Sequence, residues 1–141
     1  MTIQIDIVSA EGQLYEGEAT MVFAPGIMGE IGIAPRHAPL LTALNPGEMR
    51  IQTEDGNEES FFVSGGIIEI QPFSITVLAD TALRADDIDE AAAIEAQKRA
   101  EDALADQKDN VDFAMAQSQL AEAAARLKVV QAMKKGKGGR R

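Results

Sequence analysis

The chain has 141 residues, 45% of them hydrophobic, with 23 acidic and 13 basic residues, a formal net charge of −10, no cysteine, no tryptophan and one histidine. These figures exclude a disulfide framework, a thiolate site and a multi-histidine metal centre within one chain, and the overall charge opposes nucleic-acid binding. No run approaches the ~18 apolar residues that span a bilayer, and residues 1–6 lack the regions of a secretory signal, so a cytosolic protein is expected.

The first 84 residues hold all five prolines and alternate with period two, the strand signature. Ile3, Ile5 and Ile7 alternate with Gln4 and Asp6. Ala19, Met21 and Phe23 form one face of a second run, opposite Thr20 and Val22. Gly26-Ile27-Met28-Gly29, with Gly32, sits between strands and reads as a turn that needs small residues. Met49, Ile51 and Thr53 alternate with Arg50 and Gln52, and Glu54-Asp55-Gly56-Asn57 is a turn signal, so 48–53 and 58–63 are expected to form a hairpin. Ile67-Ile68-Glu69-Ile70 and Ile75-Thr76-Val77-Leu78 flank a turn at Pro72. Strands this short and closely spaced point to an antiparallel sandwich.

From residue 85 the pattern changes. No glycine or proline occurs between Ala85 and Lys135, and 15 alanines fall within 85–132. Asp87 and Glu90 form a capping-box variant, with Asp86 and Asp89 also favouring a helix start, so a first helix is expected over about 88–105. A polar turn at 106–110 leads to a second helix over about 111–135. Along it Phe113, Ala116, Leu120, Ala123, Leu127 and Val130 form a heptad seam. Gly136, Gly138 and Gly139 end it and begin a flexible basic tail over 136–141. The fold class is therefore α+β: an N-terminal antiparallel β-sandwich over 1–84, then an antiparallel two-helix hairpin over 85–135. Alanine favours helix, but its methyl buries only roughly 0.8 kcal/mol of apolar surface against about 1.5–3 for leucine. Such helices persist locally while their mutual packing is thin, which suits either a static hairpin or one that detaches.

Charge divides the same way. Residues 1–84 carry 12 acids and 3 bases, whereas 126–141 carry seven bases and no acid. That basic end suits an acidic protein surface, an anionic membrane face or a polyanion. Catalytic chemistry is hard to find. There is no phosphate-binding loop motif, and Ser64-Gly65-Gly66 lacks the glycine that precedes the serine of a nucleophile elbow. His37, between Pro35-Arg36 and Ala38-Pro39, reads as a polar loop contact rather than a general base. The acids at 86–90 read as helix capping rather than a calcium site. No catalytic or metal-binding residue and no cofactor is assigned.

Three stretches together resemble the epsilon subunit of bacterial F-type ATP synthase. They are Ser9-Ala10-Glu11-Gly12 with Leu14-Tyr15-Glu16-Gly17; Gly29-Glu30-Ile31-Gly32-Ile33-Ala34-Pro35-Arg36-His37-Ala38-Pro39-Leu40-Leu41-Thr42; and Val63-Ser64-Gly65-Gly66-Ile67-Ile68-Glu69-Ile70, then Val77-Leu78-Ala79-Asp80-Thr81-Ala82. The resemblance covers about residues 1–135. It implies a non-catalytic rotor subunit of the central stalk, peripheral to the cytoplasmic face of the bacterial inner membrane. Its sandwich binds the gamma subunit and rests on the c-ring, coupling proton-driven rotation to ATP synthesis. It further implies that a loop containing Glu30, Arg36 and His37 faces the c-ring. By the same resemblance the helices are either folded against the sandwich or extended along gamma; extended, they meet the catalytic alpha and beta subunits through Arg126, Lys128, Lys134 and Lys135 and inhibit ATP hydrolysis. Some members bind ATP through an Ile/Leu-Asp-x-x-Arg-Ala motif. Here Ala92 stands in place of that arginine, so no nucleotide-binding residue is assigned and ATP binding is expected to be weak or absent. The alternative from another class is a free-standing protein-binding adaptor with a polyanion-binding basic helix.

Overall fold

In a computed structural model, residues 1–106 and 110–139 are described. The chain forms two compact units, residues 1–84 and 85–141.

The first unit has ten strands: β1 (Ile3–Ser9), β2 (Gly12–Ala19), β3 (Met21–Gly26), β4 (Gly29–Ile33), β5 (Leu40–Leu44), β6 (Gly47–Gln52), β7 (Glu58–Val63), β8 (Gly66–Ile70), β9 (Ser74–Ala79) and β10 (Ala82–Arg84). They are hydrogen-bonded in the order β10-β7-β6-β3-β5-β8-β9-β1-β2, with β4 added on β3. The pairing is antiparallel except between β1 and β9, which run parallel with Ile5 opposite Ile75 and Ile7 opposite Val77. Adjacent runs thus pair as hairpins, while the parallel match aligns two isoleucine- and valine-rich inner faces, a register no local turn specifies. Ile3, Ile5, Ile7, Val22, Ile51, Phe61, Ile68, Ile70 and Val77 lie in the shared core, each at most 1% exposed.

Two details differ from the sequence pattern. Ala19 and Phe23 do not share one strand: the chain breaks at Thr20, whose N–H donates to the Gln52 carbonyl at 2.8 Å. Beyond the break the phase shifts, so that Val22 and Ala24 turn inward, both 0% exposed. The 26–29 segment is the expected tight turn, with Gly29 at φ 126°, but Gly32 lies within strand β4. Gly65 and Gly66 also have positive φ, and a Cβ on Gly66 would sit 2.2 Å from the Leu78 carbonyl oxygen. Only glycine lets β8 leave its turn this close to β9. Ser64 ties the same turn, accepting from the Thr81 N–H at 2.8 Å. This seryl hydroxyl is a structural tie.

The second unit opens with a 3₁₀ turn, Ala85–Asp87, followed by α1 (Glu90–Asp106) and α2 (Asn110–Gly139). The 3₁₀ turn consumes Asp86 and Asp87, so the cap of α1 falls to Asp89 rather than Asp87. Its Oδ1 accepts from the Ala92 N–H at 3.2 Å and its carbonyl from Ala93 at 3.0 Å. The α2 backbone continues through Gly139, beyond the expected end at 135 and into the segment expected to be a tail. Glycine lowers helix propensity by about 1 kcal/mol but keeps the N–H donor that continues the helix. Of the heptad seam, Ala116, Ala123 and Val130 are buried and Leu120 and Leu127 half-buried. The Phe113 side chain lies outside the described residues, as do 107–109 of the expected interhelical turn and Arg140 and Arg141 of the tail. No described helix is long and apolar enough to cross a membrane.

Candidate functional surfaces

Strands β5, β8 and β9 each contain an apolar doublet, Leu40-Leu41, Ile67-Ile68 and Val77-Leu78. Because successive side chains point to opposite faces, a doublet makes both faces apolar. Ile68 and Val77 face inward and are wholly buried, while Ile67 is 48% exposed and Leu78 53%. The register aligns the outward residues: Ala43 opposite Ile67, Ile67 opposite Leu78, and Leu78 opposite Val8 on β1. Leu41, 67% exposed, lies on the same face but outside this row, opposite Glu69. The result is an apolar row across four strands with no charged side chain in it. Sequence reading singled out none of these residues for function, although the doublets were its visible signal.

Glu30, Arg36 and His37 do not share one loop. Glu30 is in β4, opposite Pro25 on β3. Arg36 and His37 lie outside the strand, in the connection between β4 and β5. Glu30 is instead gathered with Arg50 on β6, whose Nη2 lies 3.2 and 3.3 Å from the two carboxylate oxygens. Arg36 has φ 66°, and its N–H donates to the Pro72 carbonyl at 2.7 Å. An arginine held in this left-handed region carries a backbone cost of about 1 kcal/mol, offset here by the bond to the 71–74 turn. The His37 Nδ1–H donates to the Ala38 carbonyl at 2.7 Å, which orients the ring and leaves Nε2 for an outside donor.

Elsewhere on the sandwich, Arg84 lies 5.3 Å from the Phe61 ring centroid and 5.8 Å from that of Tyr15, and 3.6 Å from Glu59. Burial first, and then the nearby Glu59 charge, push the Tyr15 hydroxyl above its usual range. In the β6–β7 turn, Asp55 accepts hydrogen bonds from Thr53 Oγ1 and the Asn57 N–H. These bonds hold its carboxyl below the usual range.

In the helical unit α1 and α2 enclose a groove of about 450 Å³. Its floor is alanine (Ala93, Ala96, Ala100, Ala103, Ala123) and its rim holds Arg99, Gln119, Glu122 and Arg126. Arg126 is bonded to Glu122 at 3.2 Å across one helical turn, so its charge is partly answered within α2. Lys128 is exposed; Lys134 and Lys135 belong to the α2 backbone, with side chains outside the described set. Ala92, at the position of the motif arginine, offers only a methyl at the third position of α1. Among the described residues no group of three or more His, Cys, Asp or Glu side chains is placed to hold a metal.

Comparison with known proteins matches both units. Residues 2–85 match the family described as ATP synthase, Delta/Epsilon chain, beta-sandwich domain, and residues 86–131 match its long alpha-helix domain. The chain is similar to the ATP synthase epsilon chain of Halorhodospira halophila, 60% identical over 95% of this chain and 96% of that one. It is likewise similar to that of Nitrosococcus oceani, 56% identical over 98% and 99%. Its fold is similar to a chain in the cryo-EM structure of Euglena gracilis mitochondrial ATP synthase, OSCP/F1/c-ring in rotational state 1. There the TM-score is 0.80 at 16% identity, covering 94% of this chain and 81% of that one.

Proposed function

The chain belongs to the ATP synthase delta/epsilon-chain family and is a non-catalytic central-stalk subunit; from that premise we propose how its surfaces divide the work. The apolar row through Ala43, Ile67, Leu78 and Val8 docks the gamma subunit. A peripheral subunit that turns with a shaft needs a grip that resists torque, and a charge-free row on a rigid sheet supplies desolvated contact without conformational cost. The single observation that carries this reading is that the exposed apolar side chains of β5, β8 and β9 fall into one hydrogen-bonded register.

The polar residues Glu30, Arg36 and His37 contact the c-ring, Glu30 from strand β4 and the other two from the loop beyond it. Glu30 suits charge-assisted hydrogen bonds to polar loops, and the Nε2 of His37 suits a hydrogen bond accepted from one. Seated between shaft and ring, the subunit couples proton-driven rotation to ATP synthesis at the cytoplasmic face of the bacterial inner membrane. The helical unit, extended along gamma, presents Arg126, Lys128, Lys134 and Lys135 to acidic loops of the catalytic alpha and beta subunits and restrains ATP hydrolysis.

The test is a paired substitution, Ile67→Glu with Leu78→Glu. Both side chains point to solvent, so the free subunit should fold with an unchanged circular dichroism spectrum while its affinity for gamma falls by roughly a hundredfold. Full affinity in the double variant would refute the docking assignment.

A further inference from the structure

We propose that Arg50 is a positioning residue for Glu30, holding that carboxylate in the orientation with which it meets the c-ring; this rests on the reading of Glu30 given above. Four strands converge on the arginine. One row of the sheet runs from Gly32 on β4 through Phe23 on β3 and Arg50 on β6 to Ser60 on β7. The guanidinium lies 4.3 Å from the centroid of the Phe23 ring. Its Nη2 reaches both oxygens of Glu30, and its Nε lies 3.8 Å from Glu48 Oε1. Glu48 is fixed in turn, its Oε2 accepting from the Ser60 hydroxyl at 2.6 Å. Gly32 keeps the row clear, since a Cβ there would come within 3.0 Å of the Met21 side chain.

The arrangement costs Arg50 little entropy per bond. Its planar group is stacked on an aromatic face and forked between two carboxylates, a geometry lysine cannot reproduce. Glu30 differs: it is 56% exposed and this pair is its described anchor. An exposed ion pair adds little to folding stability. The pair therefore chooses among the rotamers of Glu30 and pulls the carboxylate toward β6. Arg50 also stands between Glu30 and Glu48, answering a repulsion that otherwise drives Glu30 outward. The consequence is a division of effects: loss of Arg50 leaves the fold nearly intact and disturbs what Glu30 does.

The experiment uses the full chain, rebound to the assembled enzyme lacking it, with affinity for the c-ring-containing complex and ATP-driven proton pumping as readouts. Variants are Arg50→Gln, Arg50→Lys, Glu30→Gln and the Arg50→Gln/Glu30→Gln double. The expected result is that Arg50→Gln weakens binding about fivefold and Glu30→Gln about tenfold, with the double no weaker than Glu30→Gln alone, the signature of residues acting as a unit. Arg50→Lys should recover part of the loss, and thermal melting of the free chain should be nearly unchanged in all four. If Arg50→Gln is inert while Glu30→Gln weakens binding, or if the two losses multiply in the double, Arg50 does not act through Glu30 and the proposal is overturned with the Glu30 reading intact. If Glu30→Gln itself has no effect, both are overturned.

Discussion

In the sandwich the buried side chains are mostly Ile, Val and Phe, with Met49, Leu44 and the small Ala19, Ala24, Ala79 and Ala82 among them, drawn from strands distant in sequence; among the described residues of the helical unit the buried positions are Ala85, Ala93, Ala100, Ala116 and Ala123, joined by Val129 and Val130. The difference is one of carbon atoms removed from water. A full isoleucine or phenylalanine contributes several methylene equivalents of burial, an alanine methyl about one. The sandwich is therefore held in one shape by its core, and its outer surface can serve as a rigid platform for two partners. The helices owe their form to local propensity and their pairing to a thin seam beside an open groove. The two units thus differ in how far packing, rather than local propensity, fixes their shape.

The sharpest way to break that contrast is to remove equal structural importance from each core. Phe61→Ala should cost the sandwich about 3–5 kcal/mol in chemical denaturation, whereas Ala100→Gly should cost the helical unit about 1 kcal/mol. Comparable losses would show that the two cores are not built differently. Next in size, Ala123→Leu adds three carbons at the wall of the groove between α1 and α2, and should stabilise the hairpin by about 1–2 kcal/mol. In assembled enzyme the same change should alter inhibition of ATP hydrolysis; an unmoved melting profile together with unmoved hydrolysis would mean the seam is already closed. Ending the chain after Asp86 should leave gamma binding unchanged while hydrolysis rises by about fivefold, the low end of an allosteric coupling. Unchanged hydrolysis would remove the regulatory role from the helices.

The smallest effect separates the units by pH. Burial, before any other cause, holds the Tyr15 hydroxyl above the usual tyrosine range. Its contribution to stability is thus fully present below the unfolded value and is lost as pH rises through the folded one. Sandwich stability should decline above about pH 10 for the parent chain. Tyr15→Phe should flatten that decline, measured by denaturant midpoint at pH 9 and 11. An identical decline in the variant would place its origin elsewhere.

Much of this was legible in the residues. The alternation at Ile3, Ile5 and Ile7, the turn at 54–57 and the shift to alanine after Arg84 each express a local preference, so the strand-rich half, one hairpin and the helical half could be read directly. Strands β2, β4, β5 and β10 were not read, because short or glycine-containing runs acquire strand form from their neighbours rather than from their own periodicity. Asp89 rather than Asp87 caps α1 because a 3₁₀ turn precedes it, a detail that depends on where β10 ends.

By itself the sequence determined two units, their fold classes, the scarcity of catalytic groups and the family. Only the tertiary structure decided the surfaces. It aligned Ile67, Leu78 and Val8 into a row, parted Glu30 from Arg36 and His37, and brought Arg50 to Glu30 across strands β3, β4 and β6. The reason is physical: secondary structure is written in neighbours a few residues apart, whereas strand order and register depend on which buried faces fit together across the whole sheet.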